Sequence, residues 1–214
     1  ARKREHFLER DIRVIHIWED EWRLNRTRVE QFLKYQLGVT ESPRVYARQC
    51  EIQLVEPALA RNLLNKHHLQ GAGTAMRYYG LFHSGELCAV GAFTQAGSHR
   101  AGGHWELIRY SNGSRTVVGG LGKVMSHAAR ELQSDICSYT DRDKFTGASY
   151  AAAGFEHVGV VPPDYKTVWT VDGQKIRRAK QYSRRANLAR VFGDKFDPDL
   201  TEHENCLRNG VLRV

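Results

Sequence analysis

Between residues 44 and 171 the sequence alternates short β-type runs with short helical patterns, and this order constrains the fold more than any other feature. Runs rich in β-branched and aromatic residues predict strands at 45–55, 78–83, 87–94, 105–110, 135–140, 155–161 and 166–171. Apolar residues at helical spacing predict helices at 58–66, 119–132 and 147–153. Because a helix follows every two or three strands rather than each strand, we predict an α/β fold of the mixed α+β type, with helices flanking a mixed sheet.

The first 40 residues carry a different pattern. Asp11–Trp18 is rich in β-branched residues and predicts a strand, and Asn25–Leu37 has the apolar spacing of an amphipathic helix that ends at Gly38. The polar break at Thr40–Pro43 is the best candidate for a domain boundary. We therefore predict three parts: residues 1–40, residues 41–173, and a basic extension over residues 174–214.

Positive charge is concentrated near the carboxyl end of the sequence. The net charge is +8, and residues 174–214 carry ten Lys or Arg against five Asp or Glu. Seven of these cations, with no acid among them, lie in one segment: Lys175, Arg177, Arg178, Lys180, Arg184, Arg185 and Arg190. Such a cluster suits binding to phosphates, which makes DNA the predicted partner. The alternative is a solvated face that only keeps the protein in solution.

Composition excludes several classes of protein. The hydrophobic fraction of 41% and the charged fraction of 26% are typical of a globular chain rather than a disordered one. No apolar run approaches the ~20 residues that a membrane span needs, so no membrane association is predicted. The four cysteines include no CxxC pair, which argues against a zinc ribbon and favours a reducing compartment such as the cytoplasm.

A glycine-rich turn opens the predicted helix at 119–132. Gly119, Gly120 and Gly122 follow two valines and precede Lys123. Glycines at a helix N-terminus let backbone N–H groups approach a phosphate closely, so these residues are candidates for binding a cofactor. The spacing matches neither a P-loop nor a dinucleotide fingerprint, and a plain strand-to-helix turn explains it equally well.

Four other positions carry side chains suited to chemistry. Arg109 ends a predicted strand and is a candidate phosphate clamp, with an ordinary salt bridge as the alternative. Asp141 follows another strand, and Tyr150 lies on the next helix, so the pair could move a proton near one sheet edge. The alternatives are that Asp141 caps a turn and that Tyr150 packs. His68 lacks any metal-ligand spacing and is predicted to contact a ligand or backbone.

Taken together, the motifs LNKHHLQG, WELIRY, VVGGLGKVM, SYTDRD and GASYAAAGF resemble those of the C-terminal region of phage Vsr-like (Hef-like) homing endonucleases. That region resembles the GNAT acyltransferase fold, which implies a GNAT-like mixed sheet for residues 41–173. Acyl-CoA is then the cofactor implied for Gly119–Gly122, although Val117 stands where the family has Gln or Arg. Residues 1–40 resemble the last strand and helix of a Vsr-type nuclease domain.

The same resemblance implies that the nuclease residues, and any Mg²⁺ they bind, lie upstream of Ala1, so we expect the sequence to be part of a longer protein. The acids Glu19, Asp20 and Glu21 could bind Mg²⁺, but the start of a helix after Trp22 explains them better. No metal site is therefore predicted within the sequence.

The central region is also similar to the Mom-type phage enzymes that modify DNA bases. This resemblance implies that Asp141 orients or deprotonates an adenine amino group, that Arg109 holds a phosphate or carboxylate, and that Tyr150 donates a proton. Our leading hypothesis is a DNA-binding and targeting module of a homing-endonuclease-like protein in a phage-infected bacterial cell. A GNAT-type group transferase is the alternative.

Overall fold

The structure of the protein, a computed structural model, describes residues 6–96, 104–161 and 166–213. The chain divides into two compact units, residues 1–157 and residues 158–214. This division differs from the predicted one because the N-terminal helix packs within the first unit. It also differs because the strand predicted at 166–171 pairs with the start of the predicted basic extension.

The first unit contains seven strands and four helices among its described regular elements. The strands are β1 (Arg44–Tyr46), β2 (Glu51–Leu54), β3 (Arg77–His83), β4 (Glu86–Gln95), β5 (Trp105–Asn112), β6 (Thr116–Val118) and β7 (Ile136–Ser138). The helices are α1 (Glu19–Gln36), α2 (Pro57–His67), α3 (Gly120–Leu132) and α4 (Ala148–Ala152), with a 3-10 turn at Ala47–Gln49.

A five-stranded sheet in the order β2-β3-β4-β5-β7 forms the centre of the first unit. Its neighbours are antiparallel except β5 and β7, which run parallel, and β1 pairs with β6 in a separate parallel ribbon. The sheet is therefore mixed, and the predicted α/β fold of the mixed α+β type is confirmed.

Both faces of this sheet are covered by helices. On one face, Phe93 and Leu107 pack with Val124 of α3 in one buried cluster. On the other face, Val90 packs with Leu64 of α2 in a second cluster. All five side chains are at most 1% exposed, which explains why β4 is apolar on both of its sides.

The second unit is a three-stranded antiparallel sheet with two helices. Its elements are β8 (Lys166–Val171), β9 (Gln174–Ala179), α5 (Arg185–Phe192), α6 (Glu202–Arg208) and β10 (Leu212–Arg213), with 3-10 turns at Lys180–Ser183 and Gly193–Lys195. The strand order is β10-β8-β9. Trp169 stacks on Phe192 with ring centroids 5.6 Å apart, and Leu188, Cys206 and Val211 complete a small core.

The predicted hairpin at 78–83 and 87–94 is confirmed as β3 and β4. Ser84 and Gly85 at its tip both have positive φ (49° and 79°), the backbone that a two-residue hairpin turn prefers. The helices predicted at 58–66, 119–132 and 147–153 are confirmed with small changes of boundary. Among the described residues, no helix is both long and apolar enough to cross a membrane.

Two predicted strands are wrong. Asp11–Trp18 forms no strand, and no strand of the described sheets pairs with it. Residues 155–161 also lack regular structure, and Val158, Val160 and Val161 are 95%, 60% and 61% exposed. β-Branched residues favour strands only where a neighbouring strand is available, and neither segment has one among the described sheets.

Gly91 on β4 tests the packing of the sheet against α3. A Cβ added there would lie 2.7 Å from Val124 Cγ1 and 3.0 Å from Phe93 Cε2. We expect Gly91→Ala to lower the free energy of unfolding by about 1–3 kcal/mol through overpacking. Gly122→Ala is the control, because its Cβ would have its nearest neighbour at 3.8 Å and α3 would gain helix propensity. Urea denaturation in which both variants lose equal stability would contradict this packing.

Candidate functional site

The site in the first unit begins where β5 and β7 stop pairing. Their last paired residues are Leu107 and Ser138, while β5 continues to Asn112. Between β4 and β5 the register shifts, since Phe93 pairs with Leu107 but Ala92 pairs with Arg109. This bulge gives β5 one extra residue and redirects the side chains that follow it.

Because of the bulge, the side chains of Ile108 and Arg109 do not point to opposite sides of β5 as simple strand alternation predicts. Alternation along β5 places Ile108 and Arg109 on opposite sides of the strand. In the structure both approach the loop before β3: a Cβ added to Gly73 would lie 3.5 Å from Ile108 Cδ1 and 3.6 Å from Arg109 Nη2. The bulge therefore turns Arg109 toward residues 71–73.

Arg109 is held by two backbone carbonyl groups. Its Nε donates to the Gly71 carbonyl oxygen over 3.1 Å, and its Nη1 donates to the carbonyl oxygen of Ile108 over 2.6 Å. Burial lowers the pKa of Arg109, and nearby Tyr150 and Glu106 oppose that shift. Its Nη2 donates no hydrogen bond to a described residue and is not enclosed, so this group is free to bind a ligand.

His68 lies immediately after α2 and between two arginines. The backbone N–H of Gln70 donates to His68 Nδ1 over 3.1 Å, so the neutral ring carries its proton on Nε2. Arg28 of α1 donates from Nη1 to the His68 carbonyl oxygen over 3.3 Å. Burial, then Arg109, then Arg28 lower the pKa of His68 to about 3. At neutral pH His68 is therefore an uncharged hydrogen-bond donor.

Tyr150 takes part in a short chain of hydroxyl groups. Ser138 Oγ lies 2.9 Å from the carbonyl oxygen of Leu107 and 3.1 Å from Tyr150 Oη. Because a serine hydroxyl has one proton, donation to the carbonyl leaves Ser138 Oγ to accept the phenol proton of Tyr150. Tyr150 also packs edge-to-face on Phe155, with ring centroids 5.0 Å apart. The phenol is thus oriented, with lone pairs left to accept a hydrogen bond.

Asp141 is not joined to Arg109 or Tyr150 by any contact in the described structure. Its Oδ1 accepts the N–H of Asp143 over 3.0 Å, which is the turn-capping role weighed as the alternative. Its Oδ2 lies 3.6 Å from Lys144 Nζ. The local contacts of Asp141 therefore stabilise its own loop, and the proton-transfer role remains a prediction.

Lys144 is a structural residue that no sequence pattern indicates. Its side chain is 6% exposed and forms ion pairs with Asp141 and with Glu21 of α1, the latter over 3.3 Å. Arg13 donates to the Lys144 carbonyl oxygen over 2.5 Å. These contacts tie the N-terminal segment to the loop after β7, across the boundary predicted at residue 40.

The glycines at the start of α3 have separate structural explanations. Gly119 has a φ of 75°, and a Cβ on Gly120 would lie 2.3 Å from Tyr110 Oη. A Cβ on Gly122 would make an ordinary van der Waals contact with Ala153 Cα at 3.8 Å. Lys123 Nζ donates to the carbonyl oxygens of Ala47 and Cys50 over 2.9 and 2.5 Å. Its ammonium group is therefore used in these contacts and not for a ligand at the N-terminus of α3. The free N–H groups of the first turn still suit an anionic group such as a pyrophosphate.

The cations between residues 175 and 190 do not form one continuous patch. Along β9, Lys175 and Arg177 lie on the sheet face opposite Trp169, whereas Arg178 lies on the same face as Trp169. The Arg178 guanidinium is 4.9 Å from the centre of the Tyr182 ring. Lys180 begins the 3-10 turn that follows β9.

Three arginines of the same segment lie at α5. Arg185 donates to the carbonyl oxygens of Pro198 and Leu200 and so supports the fold. Arg184 and Arg190 are exposed, and Arg190 bonds weakly to Asn187 over 3.4 Å. Arg184 and Arg190 are thus the cations of this segment best placed for an external partner.

Within the described residues no three His, Cys, Asp or Glu side chains come close enough together to hold a metal ion. Glu19, Asp20 and Glu21 lie in the first turn of α1, where negative charge favours the helix dipole. Their helix-starting role is thereby confirmed.

Comparison with protein-family models and with curated proteins found no match to this chain. The family resemblances drawn from the motifs therefore stay predictions. Function has to be inferred from the side chains described above.

The depressed pKa of His68 predicts acid sensitivity of the first unit. The ordinary pKa of histidine is 6.5, and the pKa of folded His68 is about 3. Between these two pH values His68 is protonated in the unfolded chain but not in the folded chain. The free energy of unfolding therefore falls as the pH falls through this window, by at most about 4–5 kcal/mol.

Denaturation at pH 7 and near pH 4 checks this prediction. We expect His68→Gln to lose less stability on acidification than the wild type, by roughly 2–4 kcal/mol. The control is His157→Gln, since His157 is exposed. If His68→Gln and the wild type lose equal stability on acidification, the depressed pKa of His68 is wrong.

Proposed function

We propose that this protein is a DNA-binding and targeting module of the kind found in phage homing-endonuclease-like proteins. The observation that carries the proposal is the set of arginines in the segment 175–190. Arg178, Arg184, Arg185 and Arg190 form no ion pair with any acid of the described chain. Arginines without acidic partners attract a polyanion and release its counterions on binding.

Beside Arg178 the surface also offers an aromatic side chain. Tyr182 is 43% exposed and carries the Arg178 guanidinium over its ring. Exposed aromatic and guanidinium planes can stack on unpaired bases without selecting a sequence. This combination supports binding to DNA with an accessible single strand at least as well as binding to a closed duplex.

Salt dependence tests the DNA-binding proposal. We expect the double variant Arg184→Ala/Arg190→Ala to bind labelled DNA more weakly and to reduce the slope of log K against log salt by about 1–2. Fluorescence anisotropy between about 50 and 200 mM salt measures this slope.

A matched control removes the same charge from exposed helical positions of the first unit, Arg61→Ala/Arg130→Ala. The proposal expects the control to retain the wild-type slope. Equal slopes for the wild type and the Arg184/Arg190 variant would remove these arginines from the interface.

A second candidate function, a GNAT-type group transferase acting on DNA, is favoured by the oriented phenol of Tyr150. Its hydrogen-bonded chain through Ser138 lies where β5 and β7 separate. Tyr150 there would donate a proton during group transfer to an amine. An acyl-CoA pyrophosphate would then lie at the first turn of α3.

Calorimetry with acetyl-CoA tests this second candidate. We expect the wild type to bind and Gly122→Asp to bind at least tenfold more weakly, because a carboxylate in the first turn repels a pyrophosphate. Gly122→Asn is the uncharged control of the same size. Substitution of Gly120 is unsuitable, since its Cβ would collide with Tyr110. Absence of binding by the wild type would argue against an acyl-CoA donor.

A further inference from the structure

We propose that Arg28, His68 and Arg109, with the backbone N–H groups of residues 73–75, form a phosphate-binding site in the first unit. We call it the Arg28–His68–Arg109 site. It does not depend on the arginines of the second unit or on acyl-CoA binding, and it gives the helix α1 a direct part in ligand binding.

Several hydrogen-bond donors of the site have no partner among the described residues. Arg109 Nη2 and His68 Nε2 donate to no described residue, and neither atom is enclosed. The backbone N–H groups of Gly73, Thr74 and Ala75 also donate no hydrogen bond within the described chain. Consecutive free N–H groups beside a guanidinium form the kind of concave donor set that binds anions.

The charge of the site is positive. Neither Arg28 nor Arg109 forms an ion pair with a described residue, and Glu106 is the acid whose charge raises the pKa of Arg109. Both arginines also lower the pKa of His68, because their charges disfavour a third positive charge. Burial is the main cause of the neutral imidazole, and the field of the two arginines adds to it. That field would attract an anion to the same place.

The backbone between the arginines is shaped by glycine. Gly71 and Gly73 have φ values of 71° and 68°. A Cβ on Gly71 would lie 3.1 Å from Asn65 Oδ1 and 3.3 Å from Arg28 Nη1. Glycine thus allows the loop to pass close to Arg28, and the N–H of the following Ala72 donates to Asn65 Oδ1 over 3.0 Å.

The directions of the donors favour phosphate over carboxylate. A planar carboxylate binds best to the flat two-nitrogen edge of one guanidinium. In Arg109 the Nε is committed to the Gly71 carbonyl oxygen and the Nη1 to the Ile108 carbonyl oxygen, which leaves Nη2 as the nitrogen with both of its N–H groups free of described partners. The remaining donors come from α1, from the turn after α2 and from β5. Donors that converge from several directions match the tetrahedral oxygens of a phosphate.

The test uses the whole chain and inorganic phosphate as the probe. Amide and imidazole NMR signals are followed during titration with phosphate, with chloride at equal ionic strength as the blank. We expect selective shifts at residues 73–75 and at the His68 ring. Shifts confined to the segment 175–190, or spread evenly over both units, would overturn the proposal.

Two arginines of the same helix provide matched variants. Arg28→Gln should weaken phosphate binding at least tenfold. Arg26→Gln should leave it unchanged, since Arg26 is exposed and pairs with Glu30. Arg28→Lys, which keeps the charge, is the second variant if Arg28→Gln does not fold. Equal phosphate affinity of the Arg26 and Arg28 variants would overturn the proposal.

Further titrations identify the source of the phosphate. Tight binding of a nucleoside 5′-monophosphate but not of a dinucleotide phosphodiester would support a free phosphate monoester. Equal binding of both would support a nucleic-acid strand. Acetate that binds as tightly as phosphate would overturn the assignment of phosphate. The DNA salt slope tests arginines of the second unit, whereas phosphate binding tests residues of the first unit. A failure of the DNA-binding proposal can therefore be distinguished from a failure of this site.

Discussion

The bulge on β5 determines where the polar side chains of the first unit meet. Up to Leu107 the strand pairs regularly with β4 and β7. At Ile108 one extra residue enters, β7 ends at Ser138, and Arg109 turns toward the loop before β3. Without that shift Arg109 would not reach the Gly71 carbonyl group that holds it. A single irregularity of register therefore brings the ends of two strands, one loop and one helix together.

Much of the fold follows from local sequence. Pro57 at the first position of α2 and the Ser84–Gly85 turn specify their elements through backbone geometry, which short-range patterns report well. The strand predictions at 11–18 and 155–161 were wrong because β propensity does not reveal whether a partner strand exists. The parallel ribbon of β1 and β6 was missed for the same reason, since its partners lie about 70 residues apart.

The candidate site was only partly predictable. The sequence analysis identified Arg109, His68 and Tyr150. Arg109 and Tyr150 lie where β5 and β7 separate, and His68 lies in the turn after α2, close enough to Arg109 for that charge to lower its pKa. Arg28 gave no signal, because it lies 40 residues before His68 and looks like any cation on an amphipathic helix. For the basic segment the sequence showed the residues but not their arrangement. Strand alternation along β9 places its cations on two faces, and Arg185 is used in carbonyl contacts within the fold.

The position of Lys144 has a thermodynamic consequence. Its ammonium group is shared by Glu21 of α1 and by Asp141 of the loop after β7. Linkage between two such anchors is reciprocal. A ligand that moved Asp141 relative to Lys144 would change the ion pair of Lys144 with Glu21, and a change at the start of α1 would alter the loop with the same coupling energy. The buried ammonium thus makes the N-terminal helix and the strand-end loop a single responsive element.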